Sequence, residues 1–180
     1  MAGKKPIKLG IDITKVTVAE AQAALKPHVQ GAGVICPCCL QLVKLYEREI
    51  TGSMAYVAIL LHRHFQEDQN WLHVPDYLSN MSKIGSAVRG GDWSKLRYWG
   101  LIEEKPEEKR KDGSKRAGFY KMTEKGHQFV KGEIKVQRSI LLYNDHFLGF
   151  GKGEVGIKDC LGKEFNYDDL MAGQLGGFIV

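Results

Sequence analysis

Apolar positions along this chain recur with two different periods. From Ser53 to Phe65, "SMAYVAILLHRHF", Met54, Val57, Ala58 and Leu61 stand three and four apart, the spacing of one helical stripe. In "CLQLVKLYERE" Cys39, Leu42, Val43 and Tyr46 follow the same spacing and predict a helix there too. Further upstream "IKLGIDI" reads as a short strand. "TVAEAQAALKPH" reads as a helix with Thr17 as N-cap, Glu20 as its capping-box partner, and the glycines at 31 and 33 as its end. Downstream, "WLHV" predicts a short strand, and Pro75 suits the first turn of a helix, "PDYLSNM". A loop with Gly85, Gly90 and Gly91 follows, then a helix "WSKLRYW" capped by Asp92 and stopped by Gly100.

After Gly100 the period changes to two. "LIEEKPEEKRK" and "KRAGFYKM" flank Asp112-Gly113-Ser114, a hairpin signal, and Thr123 can cap a short helix, "EKGHQFV". From about residue 132 the pattern is β-rich, "IKVQRSILLYNDHFLGF", with Asn144-Asp145 as a turn. A short helix, "FNYDDLMAG", and a glycine-rich apolar end, "GQLGGFIV", either frayed or docked, complete the chain. The expected class is α+β in three parts: an N-terminal segment with a cysteine knuckle over 1–50, a core over 51–131, and a small β-rich subdomain with an apolar tail over 132–180.

The element order of the core resembles the winged helix-turn-helix fold. "LRYWGLIEE" resembles the segment that ends the recognition helix and begins the wing in MarR-like and PadR-like regulators. "FYKMTEKG" resembles the second wing strand running into the helix that closes the motif. The resemblance covers under half the chain and implies a winged-helix core that binds double-stranded DNA, although such folds also serve as protein-docking modules.

Successive residues of an α-helix turn by about 100°. With Trp93 at 0°, Leu96, Trp99 and Gly100 fall near 300°, 240° and 340°, while Ser94, Lys95, Arg97 and Tyr98 fall between about 40° and 200°. That polar face could read base edges and bind phosphate, or it could be an ordinary solvated face.

The net charge of +5 leans mildly toward acidic partners, and its distribution says more. Residues 103–116 carry six Lys or Arg against five acids. The acids Glu103, Glu104, Glu107 and Glu108 stand at the base of the expected wing. The tip carries Lys109, Arg110, Lys111, Lys115 and Arg116 against Asp112. Such a tip suits the minor groove or the phosphate backbone; the blander reading is a hairpin kept soluble by charge.

With 43% hydrophobic and 26% charged residues, the 180-residue chain has the composition of a soluble globular protein. "MAYVAILL" is too short to span a membrane and the N-terminus lacks an apolar signal stretch, so a cytoplasmic location without membrane contact is expected.

Cys36 and Cys39 form a C-x-x-C, the spacing by which two thiolates hold one structural Zn²⁺. His62 and His64 are the nearest candidates for the remaining ligands, with His73, His28, Cys38 and Cys160 behind them. Core thiols and a redox dithiol are the alternatives, the latter without a thioredoxin-like βαβ context. "CPCCLQLVKLYERE" also resembles uncharacterised phage and prophage proteins that pair a cysteine knuckle with a winged helix. That resemblance implies an accessory protein acting in the host cytoplasm.

No catalytic constellation is legible. "GFGKGEVG" lacks the P-loop spacing, and the adjacent carboxylates in "YDDL" suit a helix N-terminus. The expectation is a non-enzymatic, duplex-DNA-binding regulator or phage accessory factor, with a homodimer left open. The runner-up is an interaction module docking on a host protein, and the third reading is a small metal-dependent enzyme at Cys36 and Cys39.

Overall fold

The computed structural model describes residues 5–12, 14–81, 84–106, 118–143 and 146–174, except for the side chain of Ala87. In chain order its elements are β1 (Ile7–Lys8), α1 (Val18–Leu25), a 3₁₀ turn (Lys26–His28), β2 (Val34–Ile35), β3 (Leu42–Val43), β4 (Tyr46–Glu49) and α2 (Gly52–Glu67). There follow β5 (Leu72–His73), α3 (Val74–Ser79), α4 (Ser86–Arg89), a 3₁₀ helix (Gly91–Trp99), β6 (Ile102–Glu104), β7 (Phe119–Met122) and α5 (Glu124–Lys131). The last are β8 (Val136–Gln137), β9 (Ser139–Tyr143), β10 (His146–Phe150), β11 (Glu154–Val155), α6 (Ile157–Leu161) and α7 (Tyr167–Met171). The class is α+β. No helix among the described residues is long and apolar enough to cross a membrane.

The chain divides into two compact units, one of residues 1–48 with 141–149 and one of 49–140 with 150–180, so the segment 132–180 contributes to both.

In the smaller unit α1 begins where Thr17 accepts from the Glu20 amide while the Glu20 carboxylate accepts from the Thr17 amide at 2.7 Å, the reciprocal cap its sequence signals. The helix ends at Leu25, well before Gly31, because Pro27 falls in the next turn. Parallel pairing of β1 with β2 and antiparallel pairing of β2 with β3 make a small sheet, with Val34 opposite both Ile7 and Val43. A second sheet runs in the order β10, β9, β4.

The helix expected over "CLQLVKLYERE" is absent, and β3 and β4 occupy it. Its apolar residues satisfied a helical period, but the turn before them reverses the chain. Cys36 N–H donates to Gln41 O and Leu40 N–H to Cys36 O, both at 2.9 Å, and this sets the register Ile35 opposite Leu42. Once that turn closes, β2 supplies ladder partners for Leu42 and Val43.

The larger unit is built round α2, capped by Thr51, whose hydroxyl accepts from Met54 N–H. The sequence marks one apolar stripe on it, yet every residue from Met54 to His62 is buried, as befits a helix covered on all sides. The Gly85–Gly91 segment, expected as a loop, includes the short helix α4.

β5, β7 and β6 form a three-stranded antiparallel sheet in that order, with Leu72 opposite Tyr120 and Ile102 opposite Met122. At the base of the β6–β7 pair, Gly100 ends the 3₁₀ helix with φ +70°, and its N–H donates to Arg97 O. Thr123 caps α5, and its hydroxyl also donates to Leu101 O at 3.1 Å, so one residue ties the start of α5 to the start of β6. Trp99, buried, donates through Nε1 to Gln137 O on β8 at 2.6 Å.

Candidate nucleic-acid interface and the cysteine turn

The segment expected as an α-helix over Trp93–Trp99 is a 3₁₀ helix that starts at Gly91, with Gly90 and not Asp92 before it. A 3₁₀ helix has three residues per turn, so residues three apart eclipse. Trp93, Leu96 and Trp99 stand at that spacing, and all three are buried. The polar residues therefore lie along two edges, Ser94 with Arg97 and Lys95 with Tyr98, instead of spreading over one broad face. All four are half-buried.

Their donors are already engaged. Arg97 Nη1 donates to Ser94 O at 3.0 Å and Nη2 to the Tyr98 hydroxyl at 3.1 Å, with the guanidinium carbon 4.6 Å from the Tyr98 ring centroid. Lys95 Nζ is paired with Asp92. Lys95 is neutralised locally by Asp92, with which a phosphate or base edge would have to compete, while Arg97 is held by neutral partners and keeps its charge.

The expected wing residues Lys109, Arg110, Lys111, Lys115 and Arg116 lie outside the described residues. Its base is described: Glu103 stands opposite Lys121, Glu104 opposite Tyr120, and Lys105 N–H donates to Phe119 O at 2.9 Å as the chain leaves the ladder. Glu103 and Glu104 are exposed on β6.

Of the expected metal residues, Cys36 and Cys39 belong to the smaller unit and His62 and His64 to the larger. Both ring nitrogens of His62 are occupied, Nε2 by Gln66 Nε2 at 2.8 Å and Nδ1 by His127 Nδ1 at 2.8 Å. His64 packs edge-on against Phe65 at 5.1 Å between centroids and tilted against Tyr77 at 5.1 Å. Among the described residues no three His, Cys, Asp or Glu converge as a metal group. Within the larger unit, α2 turns His62 into the core, where its neighbours satisfy it.

His127 is the residue that sequence reading missed. It lies on α5, far in sequence from His62, and only the packing of α5 on α2 joins them. Burial holds both imidazoles below their ordinary value, His62 down to about 4 with the His127 ring as a second cause.

At the cysteine turn the three thiols are clustered. The backbone N–H groups of Cys39 and Cys38 point at the Cys36 sulfur and hold that thiol below the ordinary value. Cys38 is pushed up, first by desolvation and then by the neighbouring Cys36. Leu40, next in the turn, has φ +61° and is 74% exposed. Its left-handed backbone costs roughly 1 kcal/mol for a residue with a Cβ. Cys160 lies apart on α6, buried, with its thiol pushed up to about 12 by desolvation.

Compared with family models, with curated proteins and with solved structures, the chain matches none of them.

Proposed function

We propose that the larger unit is a winged helix that binds double-stranded DNA, as a transcriptional regulator or phage accessory factor. The observation that carries this reading is the order α2, β5, α3, α4, 3₁₀ helix, β6, β7 combined with the antiparallel sheet β5-β7-β6. In that arrangement the helix Gly91–Trp99 runs through Gly100 directly into the antiparallel pair of β6 and β7, and the sequence between those strands is rich in cations, so the two together would meet one duplex. Lys109, Arg110, Lys111, Lys115 and Arg116 would supply most of the charge, because Lys95 is already paired with Asp92. The helix would then position the protein through Ser94, Tyr98 and the guanidinium edge.

Fluorescence anisotropy with a labelled duplex at two salt concentrations tests this. Affinity that falls steeply with salt, and falls further when Lys109, Arg110, Lys111, Lys115 and Arg116 are changed to Gln, supports it. No duplex affinity at low salt overturns it.

A second reading, docking on a host protein, is favoured by the smaller unit. Tyr143, Phe147 and Leu148 are exposed on β9 and β10, and Tyr143 and Leu148 border an apolar hollow with Leu25 and Val29. Exposed apolar clusters of this kind mark interaction surfaces. Co-purification of one defined partner that is lost in Leu148→Glu supports it, and partner retention in that variant counts against it.

A further inference from the structure

We infer that Cys36 and Cys39 are a reversible thiol–disulfide pair, oxidised by a low-molecular-weight disulfide of the glutathione class and restored by a dithiol. The pair sits on the turn that joins β2 to β3, within the smaller unit. Leu40 N–H donates to Cys36 O and Cys36 N–H to Gln41 O, each at 2.9 Å, on a hairpin end whose strands pair Ile35 with Leu42. A bond from residue i+4 back to residue i makes Cys36 to Leu40 a single helical turn that is not continued. Leu40, at φ +61°, then turns the chain out toward β3.

That turn fixes which thiols can join. Helical geometry sets Cα atoms three residues apart at about 5 Å with their side chains on one side. A disulfide spans Cα atoms about 4.4 to 6.8 Å apart, so Cys36 and Cys39 stand within its reach before any movement. Cys38 and Cys39 are neighbours, and the Cα spacing of about 3.8 Å across a trans peptide is too short for an unstrained bridge. Cys38 also touches the Cys36 sulfur, but it lies about 200° round the turn from Cys36, so its side chain leaves on the other side. Cys39 is in hydrogen-bond contact with the same sulfur through both its amide and its thiol.

A small oxidant can reach the pair, since Cys39 is exposed and Cys36 half-buried. The Cys36 thiolate attacks one sulfur of the oxidant, which expels one thiolate and leaves a mixed disulfide on Cys36. The Cys39 thiolate then attacks the Cys36 sulfur, forms the Cys36–Cys39 bond and expels the second thiolate. The two cysteine thiols give up two electrons and two protons, and the oxidant takes up both and leaves as two thiols. The new bond spans a turn that the backbone has already closed, so oxidation changes the thiols and leaves the fold in place. In a reducing compartment such a pair is transient and redox-sensing.

The test equilibrates the reduced full chain, with a chelator present, in mixtures of reduced and oxidised glutathione, quenches with acid and maps the products by mass spectrometry. The expected product has lost two hydrogens, carries a Cys36–Cys39 linkage, returns to the dithiol with dithiothreitol and keeps the circular dichroism of the reduced chain. Cys38→Ser and Cys160→Ser should oxidise as the unaltered chain does, and Cys39→Ser should stop with one glutathione on Cys36. Three results in the unaltered chain would overturn the proposal: glutathione adducts without an internal bond, a bond from Cys36 to Cys38, or no reaction in fully oxidised glutathione. These need no variant, so a misfolded Cys39→Ser leaves the decision intact.

Discussion

His62 Nδ1 lies 2.8 Å from His127 Nδ1, so one hydrogen bond between two imidazoles joins α2 to α5. Gln66 Nε2 can only donate to His62 Nε2, so the His62 proton sits on Nδ1 and His127 accepts it. The rings meet at 62° with centroids 4.9 Å apart, and only a neutral pair satisfies every atom of this chain of bonds.

That pair should make stability pH-dependent in one window. The folded value of His62, about 4, lies below the ordinary histidine value of 6.5. Its contribution is therefore complete above about pH 6.5, is lost as the pH falls toward 4, and changes no further below that. Lys131 opposes protonation and Glu133 and Glu124 favour it, without reversing the sign. The loss should be on the order of 3 kcal/mol. Thermal unfolding at several pH values between about 7 and 4 checks it: His62→Gln should be less stable at neutral pH but show a flatter profile. An unchanged slope in that variant would place the acid sensitivity elsewhere.

Gly126→Ala should be among the most damaging small substitutions. A Cβ at Gly126 would overlap Leu101 O and press on the Met122 methyl, where α5 crosses the start of β6. The same carbonyl accepts from Thr123 N–H and from its hydroxyl, so it cannot retreat without breaking both bonds. Overpacking against backbone costs about 1 to 3 kcal/mol, visible as a lower midpoint in urea. Gly132→Ala, with nothing within 4 Å of the added Cβ but φ +77°, should cost less, about 1 kcal/mol.

The local signals that survive into the structure are those in which one side chain fixes one backbone group. Thr17 with Glu20, Thr123 before α5 and Gly100 at the helix stop belong here. Signals that depended on period alone did less well. Leu42 and Val43 fit a helical stripe and a strand equally, and pairing with β2 decided between them. Trp93, Leu96 and Trp99 are three apart, which an α-helix tolerates and a 3₁₀ helix matches, so the polar face drawn at about 100° per residue became two edges. The His62–His127 pair was illegible because it is a product of tertiary packing between distant helices.

If the larger unit binds duplex DNA as proposed, Arg97 and the cations Lys109, Arg110, Lys111, Lys115 and Arg116 should contribute unequally to its salt dependence. Arg97→Ala removes a guanidinium already bonded to Ser94 O and Tyr98, so its effect on affinity should be accompanied by little change in salt dependence. Neutralising Lys109, Arg110, Lys111, Lys115 and Arg116 should instead lower the slope of log K against log salt by up to about 0.9 for each phosphate left without its cation. Titrations at about 50, 100 and 200 mM salt separate the two, since a slope that drops by about one unit in Arg97→Ala alone would return that cation to direct phosphate contact.

The thiols should differ sharply in reactivity in the reduced, metal-free chain. Alkylation follows the thiolate fraction and access. Cys36 has its anion favoured by the Cys39 and Cys38 amides, whereas Cys38 is pushed the other way by desolvation and by Cys36 itself. Iodoacetamide at neutral pH should therefore label Cys36 ahead of Cys38, and raising the pH should narrow that ratio as the Cys38 thiolate forms. Cys160 is buried with its thiol pushed up to about 12, so it should label only on unfolding and report the global transition. Peptide mapping after timed quenching reads all of these rates. Cys38 labelled first would mean that the amide donors do not act on Cys36 in solution. Native-state labelling of Cys160 at a rate near that of Cys38 would mean that α6 opens far more readily than its buried face, Ile157, Cys160 and Leu161, implies.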